Sequence, residues 1–560
     1  MAHVAVPMHK EGVEVFDAAA ADDATLEKLG YQQELKRSFG LLGMLGFSFG
    51  IVTSWSALSG VLIVGVESGG PPVMIYSWIG EDSTVGESGV MIEYETEGWQ
   101  LTQPRVAILA PRSMARGFSY ICGWFMLIGI LAMGAVNNFI AANFILGMAN
   151  LANQDYVIER WHTVLVSYAV AFLSVAINIV GPHLLDKISK GILAWNIAAF
   201  LIIVITILAT NDHKQSASFV FKEFQNFTGF GTAYAALLGI LQSAFGMACY
   251  DAPAHMTEEI VNARKEAPRA IVMSVWMGAG TGLVFLIAAC FCIGDITDTA
   301  TSSTGVPIIA IFYNSTNSVA GANCLTVLLT VICVFCAVAL TAEGSRSVYA
   351  FARDRGLPFS DLWCKVEPKK QIPIFAILLT IFVQLAMNSI YFGTLTGFNT
   401  VISIATEGFC KYPDPPRRKM KRGHVSHYST LSIFTDVSYA MPLLARILSR
   451  IAGNRTDLDG PYSLGRWGLV MNVIGFVFLV FAAITFNFPT LNPVNQDDMN
   501  YTSAAIGVIM LIAIITWFTT GRKQFTGPRS GGVVFEGGVA HVTEGSTSGD
   551  EAVMGEKNLR

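Results

Sequence analysis

An aspartate and a tyrosine lie within an otherwise apolar stretch, where side chains of these types could bind a ligand or carry a proton. Residues 231–271 begin as an apolar run, Ala233–Phe245, which predicts a helix. The run then meets Tyr250 and Asp251, and it breaks at Pro253. Because a carboxylate in a bilayer is energetically expensive, Asp251 is a candidate functional residue.

The length of this apolar run indicates a helix that breaks partway across the bilayer. A membrane-spanning helix needs about 20 apolar residues, because the hydrocarbon core is about 30 Å thick. The run is too short unless residues 246–254 also lie at membrane depth. Irregular backbone is tolerated there only when it is buried in protein or lines a cavity, as in discontinuous transporter helices. The alternative is that the helix ends near Ala248 and Asp251 faces water.

The composition places the chain among polytopic membrane proteins. Hydrophobic residues make up 52% of the sequence and charged residues 14%, and the mean hydropathy is +0.51. The lipid bilayer is therefore the expected surrounding partner. The net charge of −5 gives no indication of a nucleic-acid partner, because the charges lie in loops and tails. Most of the nine cysteines fall in apolar runs, which favours packing roles over disulfides or a metal site.

The chain divides into a polar cytosolic tail (1–38), a transmembrane domain (39–520) and a glycine-rich, disordered cytosolic tail (521–560). Small residues near Gly50–Ser54 in the first span have two equally supported interpretations, close helix packing or a second unwound segment. The predicted spans lie at about Phe39–Val66, Phe118–Leu146, His162–Val180, Gly191–Thr210, Ala233–Ala254, Ala270–Ile293, Leu325–Thr341, Ile372–Tyr391, Trp467–Phe488 and Tyr501–Thr519.

Two polar segments interrupt this pattern. Residues 81–104 are too acidic to cross lipid, although an apolar run begins just before them. Residues 409–436, which include a Pro-Asp-Pro-Pro turn and a basic cluster, separate two halves that would together make one span, 394–408 and 437–449.

Basic residues of the loops predict the orientation. They concentrate in alternate loops, whereas loops 295–319, 392–396 and 489–500 contain no Lys or Arg. By the positive-inside rule both termini are cytosolic. Three sequons in predicted outside loops are glycosylation candidates: Asn226, Asn314 and Asn500.

Two motifs together resemble a known transporter group. SAFGMACYDAPAHMTEEIVNARKEAPRAI (243–271) and GSRSVYAFARDRGLPFSDLW (344–363), with the glycine-rich first span, are similar to the amino acid/polyamine/organocation (APC) superfamily. The closest resemblance is to fungal amino-acid permeases that include GABA and choline carriers, over about residues 30–520. It implies an all-α polytopic, LeuT-like fold with nominally 12 helices in a 5+5 inverted repeat. Helix 2 would be absent or degraded and helix 10 interrupted.

The resemblance also implies roles for individual residues. Discontinuous first and sixth helices would meet at the membrane midplane and hold the substrate between them. Asp251, where related carriers have an acidic residue, would have a gating or proton-linked role. Apart from the resemblance, Glu407 is a second intramembrane carboxylate, in the broken tenth span, and it is either a candidate for such a role or faces the polar insertion. The substrate-binding residues that it implies are Gly50, Ile51, Val52, Thr53, Phe245, Gly246, Met247 and Ala248. Tyr250 is a further candidate on physical grounds, because an aromatic face can cover an amine or quaternary ammonium by cation–π attraction.

The polar segments depart from the family pattern, which resumes on both sides of them, and this predicts misread exon boundaries or retained introns. The expected function is a secondary active transporter that imports a small amino compound (amino acid, GABA or choline) by alternating access. It needs no cofactor, since a proton gradient would drive it, and the plasma membrane is the expected location. The alternative is a non-transporting nutrient sensor or an inactive product. No constellation typical of an enzyme is present in the loops.

Overall fold

The structure is a computed structural model. It describes residues 33–81, 109–110, 114–180, 184–300, 302, 304–393, 429–451, 468–485, 487, 489, 492, 494, 502–525, 533–536 and 539–542. Most of the two predicted tails and most of both polar segments lie outside these ranges. The described parts of the tails are residues 33–38, 521–525, 533–536 and 539–542.

Helices dominate the described residues, with two short two-stranded antiparallel pairs, β1–β2 and β3–β4. The strands are β1 Ser68–Gly69, β2 Gln225–Asn226, β3 Val533–Glu536 and β4 Val539–Val542. The helices of the first half are α1 Leu41–Val52, α2 Ser54–Gly60, α3 Leu62–Glu67, α4 Pro71–Glu81, α5 Ala115–Ala152, α6 Arg160–Val180, α7 Leu185–Thr210, α8 Ala217–Phe221, α9 Thr232–Gly246 and α10 Ala252–His255. The others are α11 Ala263–Phe291, α12 Ile296–Ala300, α13 Pro307–Thr316, α14 Val319–Arg353, α15 Ser360–Trp363, α16 Ile374–Gly393, α17 Ser429–Ile451, α18 Gly468–Thr485, α19 Thr502–Thr516 and α20 Arg522–Gln524.

Within the described residues, nine helical stretches are long and apolar enough to cross a membrane, and α9 is a shorter apolar helix. Their lipid-compatible surfaces carry large exposed side chains such as Trp276, Phe382 and Phe518. The predicted all-α polytopic fold is confirmed.

The first span is interrupted at a single residue. Thr53 separates α1 from α2 and has φ 19° and ψ 47°, outside the helical range. Gly50 remains helical, so the unwinding predicted over Gly50–Ser54 is confined to Thr53. A Cβ at Gly50 would lie 2.6 Å from Phe335 Cε1. This glycine is therefore required for close helix packing and not for backbone freedom.

The sixth span has a wider break, which lies within residues 246–254, where the sequence predicts irregular backbone. Helix α9 ends at Gly246, a turn follows over 247–251, and α10 begins at Ala252. The predicted break at Pro253 is wrong, because Pro253 lies in the first turn of α10. Proline is tolerated there because first-turn amides have no partner within the helix. Within the turn over 247–251, Cys249 has the left-handed backbone conformation, with φ 60°.

The segments predicted to be anomalous are only partly described. Helix α4 ends at Glu81, where the acidic segment begins. Helix α17 begins at Ser429, eight residues before the predicted half-span 437–449, so it takes in the end of segment 409–436. Residues 429–436 contain neither glycine nor proline, which accounts for the longer helix.

Helix α14 is central to the packing. It contacts α5, α6, α16 and the first span, while α1 packs on α7 and α11. Small residues allow these close approaches, as is common between membrane helices. At Gly46 on α1, a Cβ would lie 2.1 Å from the backbone oxygen of Ser189 on α7.

We expect Gly46→Ala to lower the melting temperature of the detergent-purified protein. The added methyl group meets backbone, which cannot rotate away, so α1 and α7 must separate; overpacking of this kind costs about 1–3 kcal/mol. The matched control is Gly191→Ala on α7, where a Cβ meets nothing within 4 Å. There alanine should stabilise the helix by about 0.5–1 kcal/mol. Equal melting temperatures for the two variants would contradict the assigned α1–α7 contact.

Candidate substrate cavity and buried polar cluster

A cavity lies where the two interrupted spans meet. Its wall includes the break of the first span at Thr53 and the break of the sixth span at Ala248 and Cys249. The other sides come from α5 and α14. The lining residues are Ile51, Val52, Thr53, Ser56, Ala57, Met133, Asn137, Ile140, Phe245, Ala248, Cys249, Cys333, Cys336 and Leu340.

Five of the nine residues predicted to bind substrate line this cavity. They come from two stretches about 190 positions apart in the sequence, so the fold brings together what the resemblance placed together. Helix ends exposed at such breaks offer unpaired backbone groups for a ligand. The five residues are Ile51, Val52, Thr53, Phe245 and Ala248.

The other four predicted binding residues lie behind the wall or beside it. Gly50 packs against Phe335, and Gly246 packs against Trp78, whose Cζ3 would lie 2.7 Å from a Cβ. Met247 accepts a hydrogen bond at its sulfur from Ser54 Oγ, 3.5 Å away. The ring of Tyr250 packs on Tyr439, with centroids 5.1 Å apart. Substrate contact by these four residues stays a prediction.

A buried polar cluster lies next to the cavity. Asp251 accepts hydrogen bonds at both carboxylate oxygens: Tyr439 Oη donates to Oδ1 at 2.6 Å, and His255 Nε2 lies 3.1 Å from Oδ2. His255 Nδ1 lies 3.3 Å from Ser347 Oγ. The alternative in which Asp251 faces water is wrong, since only 3% of the residue is exposed. Three elements therefore meet here, α10 with the preceding turn, α14 and α17.

Glu343 completes the cluster from α14. It is 0% exposed, and His255 Nε2 lies 3.7 Å from its Oε1. That separation exceeds hydrogen-bond distance, and neither carboxylate oxygen accepts a hydrogen bond from the described residues. Two carboxylates thus approach the same imidazole nitrogen, Nε2, so the cluster holds more acidic than basic groups and can bind a proton or another cation.

By residue type, Asp251, His255 and Glu343 could also ligate a metal, since their ligand atoms lie within 4.8 Å of one another. We assign no metal to them, because the 3.1 Å contact to Asp251 already pairs His255 Nε2. Chemically, the arrangement can hold a proton and pass it between an imidazole and a carboxylate.

Ion pairs next to the cluster join the residues that follow α10 to the end of α14. Arg346 Nε donates to Glu259 Oε1 at 2.7 Å, and Arg353 pairs with Glu258 at 2.6 Å. Both arginines belong to the 344–363 motif, and each pairs with an acidic group. The first of these pairs is almost completely buried.

The segment preceding α1 is hydrogen-bonded to the backbone at Glu259 and Val261, next to these ion pairs. The amides of Ser38 and Phe39 donate to the Glu259 carbonyl at 2.9 and 3.0 Å, and the Val261 amide donates to the Phe39 carbonyl at 3.0 Å. Further along the segment, Tyr349 Oη donates to Glu34 Oε2 at 2.6 Å. We call residues 33–39 the N-terminal strap.

Sequence reasoning missed Glu343 and Tyr439. The predicted span over α14 ended at Thr341, which placed Glu343 in a loop, although it continues the helical face of Cys336 and Leu340. Nothing in the sequence near Tyr439 indicates its contact with Asp251.

The remaining predicted residues are placed as follows. Asn226 in β2 and Asn314 on α13 are exposed, and their glycosylation stays a prediction. Glu407 and Asn500 lie outside the described residues.

The hydroxyl of Tyr439 offers a test of the cluster. Tyr439→Phe keeps the ring packed on Tyr250 but removes the hydrogen bond to Asp251. Bonds to charged groups contribute about 1.5–3 kcal/mol, so we expect uptake to fall about tenfold or more without loss of surface expression. Tyr313→Phe on α13 removes a phenol from an exposed residue away from the cluster and is the matched control. Equal losses in the two variants would contradict a specific role for the Asp251 contact.

Comparison with known proteins agrees with this architecture. The amino acid permease family model matches residues 39–514. A protein of Macrophomina phaseolina named amino acid/polyamine transporter is 62% identical over 468 residues, covering 82% of this chain and 97% of that protein. The choline transporter of Saccharomyces cerevisiae is 28% identical over 504 residues, covering 88% and 83% respectively. Amino-acid permease BAT1 of Arabidopsis thaliana is 28% identical over 537 residues, covering 90% and 96%. With the family model spanning the interrupted helices, the cavity and the cluster, this chain belongs to the amino acid permease family and is a multi-pass membrane transporter, not an enzyme.

Proposed function

We propose that this permease imports a small amino compound (an amino acid, GABA or choline) by alternating access, coupled to protons. The observation that carries the proposal is the position of the cavity between the breaks at Thr53 and 247–251. Backbone breaks at membrane depth are tolerated where they line a cavity, and transporters place substrate sites there.

The names of the relatives support a class of substrate and not one particular compound. One relative is named a choline transporter and others amino-acid permeases, and these compounds share a small size and an amine nitrogen. The cavity wall is mixed: apolar side chains accompany the hydroxyls of Thr53 and Ser56 and the amide of Asn137. Such a wall suits a compact molecule with one apolar and one polar end.

Coupling to protons is supported by the buried cluster. A proton taken up between Asp251, His255 and Glu343 neutralises charge on elements that must move relative to one another, the sixth-span break and α14. A ligand shifts a conformational equilibrium only if it binds the two states differently, and a buried proton does so through local charge. The titratable groups that face one another here are Cys249, Tyr250, Asp251, His255, Cys336, Glu343 and Tyr439.

Reconstituted transport tests both parts. The purified full chain in proteoliposomes should accumulate labelled GABA, choline or an amino acid when the outside is acidic, and a protonophore should abolish the accumulation. Absence of saturable uptake across the panel would overturn the transporter proposal for this chain. Uptake that ignores the pH gradient would overturn only the proton coupling.

We place the permease in the plasma membrane with both termini cytosolic, as the loop charges predict. Membrane fractionation of the full chain expressed in yeast tests the location. Protease digestion of intact cells tests the orientation: epitopes at both termini should survive, and cleavage of either would overturn it.

A further inference from the structure

A carboxylate without a hydrogen-bond donor borders the proposed substrate cavity. Glu343 is fully buried, and its two oxygens accept no hydrogen bond from the described part of the chain. Its recorded contact with a basic group is the 3.7 Å approach of His255, which is itself bound to Asp251. An ionised carboxylate buried in this way costs several kcal/mol unless a cation accompanies it, and without a cation the group takes up a proton.

Glu343 is directed toward the cavity by its helix. Cys336 and Leu340 on α14 line the wall, and Glu343 follows them by seven and three residues, which places all three on one helical face. The carboxylate is also close enough to act electrostatically on Cys249 and Cys336, two thiols of the cavity wall. Glu343 therefore lies just beyond the lining residues, one helical turn further along α14.

The cavity wall offers no compensating positive charge to an anion. Its lining residues carry hydroxyl, amide and thiol groups but no Lys, Arg or His. In the described part of the molecule, Arg346 is already paired with Glu259. A substrate carboxylate would therefore meet neutral donors, whereas a substrate ammonium would approach a cluster that holds more acidic than basic groups.

We infer that Glu343 is the counter-charge for the substrate's ammonium group, so that the positive amine, and not a carboxylate, is the obligatory recognition element. The inference rests on the proposed function and narrows its substrate class to alkylammonium compounds. Primary amines such as GABA and aminobutanol belong to this class, as do quaternary amines such as choline. A carboxylate is tolerated at the far end of the substrate but is not required.

Two pairs of ligands test whether binding depends on the positive charge or on the shape of the ligand. Choline and its neutral carbon isostere dimethylbutanol have the same shape and differ in the positive charge. Aminobutanol retains the ammonium group of GABA, and butyrate retains its carboxylate. We expect choline and aminobutanol to raise the melting temperature of the purified full chain and to compete with labelled substrate. Dimethylbutanol and butyrate should do neither. In Glu343→Gln, the apparent affinity for choline should fall at least about tenfold, since the variant loses the Coulombic attraction between the carboxylate and the quaternary ammonium.

Two further variants keep the test informative if Glu343→Gln folds poorly. Glu343→Asp retains the charge on a shorter arm and should recover part of the choline affinity. Asp361→Asn, whose side chain is 81% exposed on α15, should leave affinity unchanged. Equal binding of dimethylbutanol and choline, or undiminished choline affinity in a folded Glu343→Gln protein, would overturn the inference.

Failure of the proposed function gives a different result. Stabilisation by choline that depends on Glu343, without uptake into proteoliposomes, would support the ammonium site and overturn transport. Uptake of butyrate with the same efficiency as aminobutanol would support transport and overturn the ammonium requirement.

Discussion

Asp251→Asn is expected to reduce uptake about 10- to 100-fold while the protein still reaches the membrane. The substitution keeps the shape of the side chain and an oxygen to accept from Tyr439, but it removes the charge that pairs with His255. Hydrogen bonds to charged groups contribute about 1.5–3 kcal/mol, which corresponds to this range of rates. Initial uptake rates at several external pH values provide the measurement.

The pH dependence distinguishes a proton-linked role from a purely structural one. If a proton is taken up at the cluster, wild-type uptake rises as external pH falls, because the bound proton neutralises buried negative charge. Asp251→Asn should flatten this profile as well as lower it. Asp361→Asn, an exposed carboxylate, should change neither. A uniformly lowered profile of unchanged shape in Asp251→Asn would argue against proton coupling at this residue.

Arg346→Ala is expected to be the most destabilising of the substitutions considered. The guanidinium is 3% exposed and pairs at 2.7 Å with Glu259, whose side chain is 8% exposed. Breaking a buried ion pair from one side costs about 3–5 kcal/mol, because the remaining charge is left buried. The melting temperature of the detergent-purified protein should fall clearly, together with surface expression.

Two comparisons test this explanation. Arg355→Ala removes one partner of the exposed pair with Asp361, and exposed pairs contribute only about 0–1 kcal/mol. The double variant Arg346→Met, Glu259→Gln removes both buried charges and should recover most of the lost stability. A double variant no more stable than Arg346→Ala would show that packing of the arginine stem, not the unpaired carboxylate, determines the loss.

The sequence predicted the sixth-span break well, because the signal was local. Glycine, tyrosine and aspartate interrupt an apolar run over a few residues, and only a cavity accommodates such a break at membrane depth. The position of the break was less predictable. Pro253 reads as a helix breaker, but it begins α10, while the turn itself is made at Cys249, a residue type that gives no warning of a positive φ.

The partners of Asp251 were less accessible to sequence reasoning, because they depend on contacts between distant segments. Tyr439 lies 188 residues away on α17, and its role exists only in the folded bundle. Glu343 could have been found from the sequence. Hydropathy ended the predicted span at Thr341, but the helix continues to Arg353. The spacing of Glu343 from Cys336 and Leu340 places it on the same helical face, which is the signal that identifies it.

The N-terminal strap has a kinetic consequence. Its backbone amides bind the carbonyl of Glu259, the residue whose side chain also holds Arg346, and the neighbouring Glu258 holds Arg353. These contacts share one short stretch of backbone, so displacing that stretch breaks them together. A motion that displaces this stretch must therefore break the strap contacts and both ion pairs in one concerted step, and it meets a single barrier in place of a series of small ones.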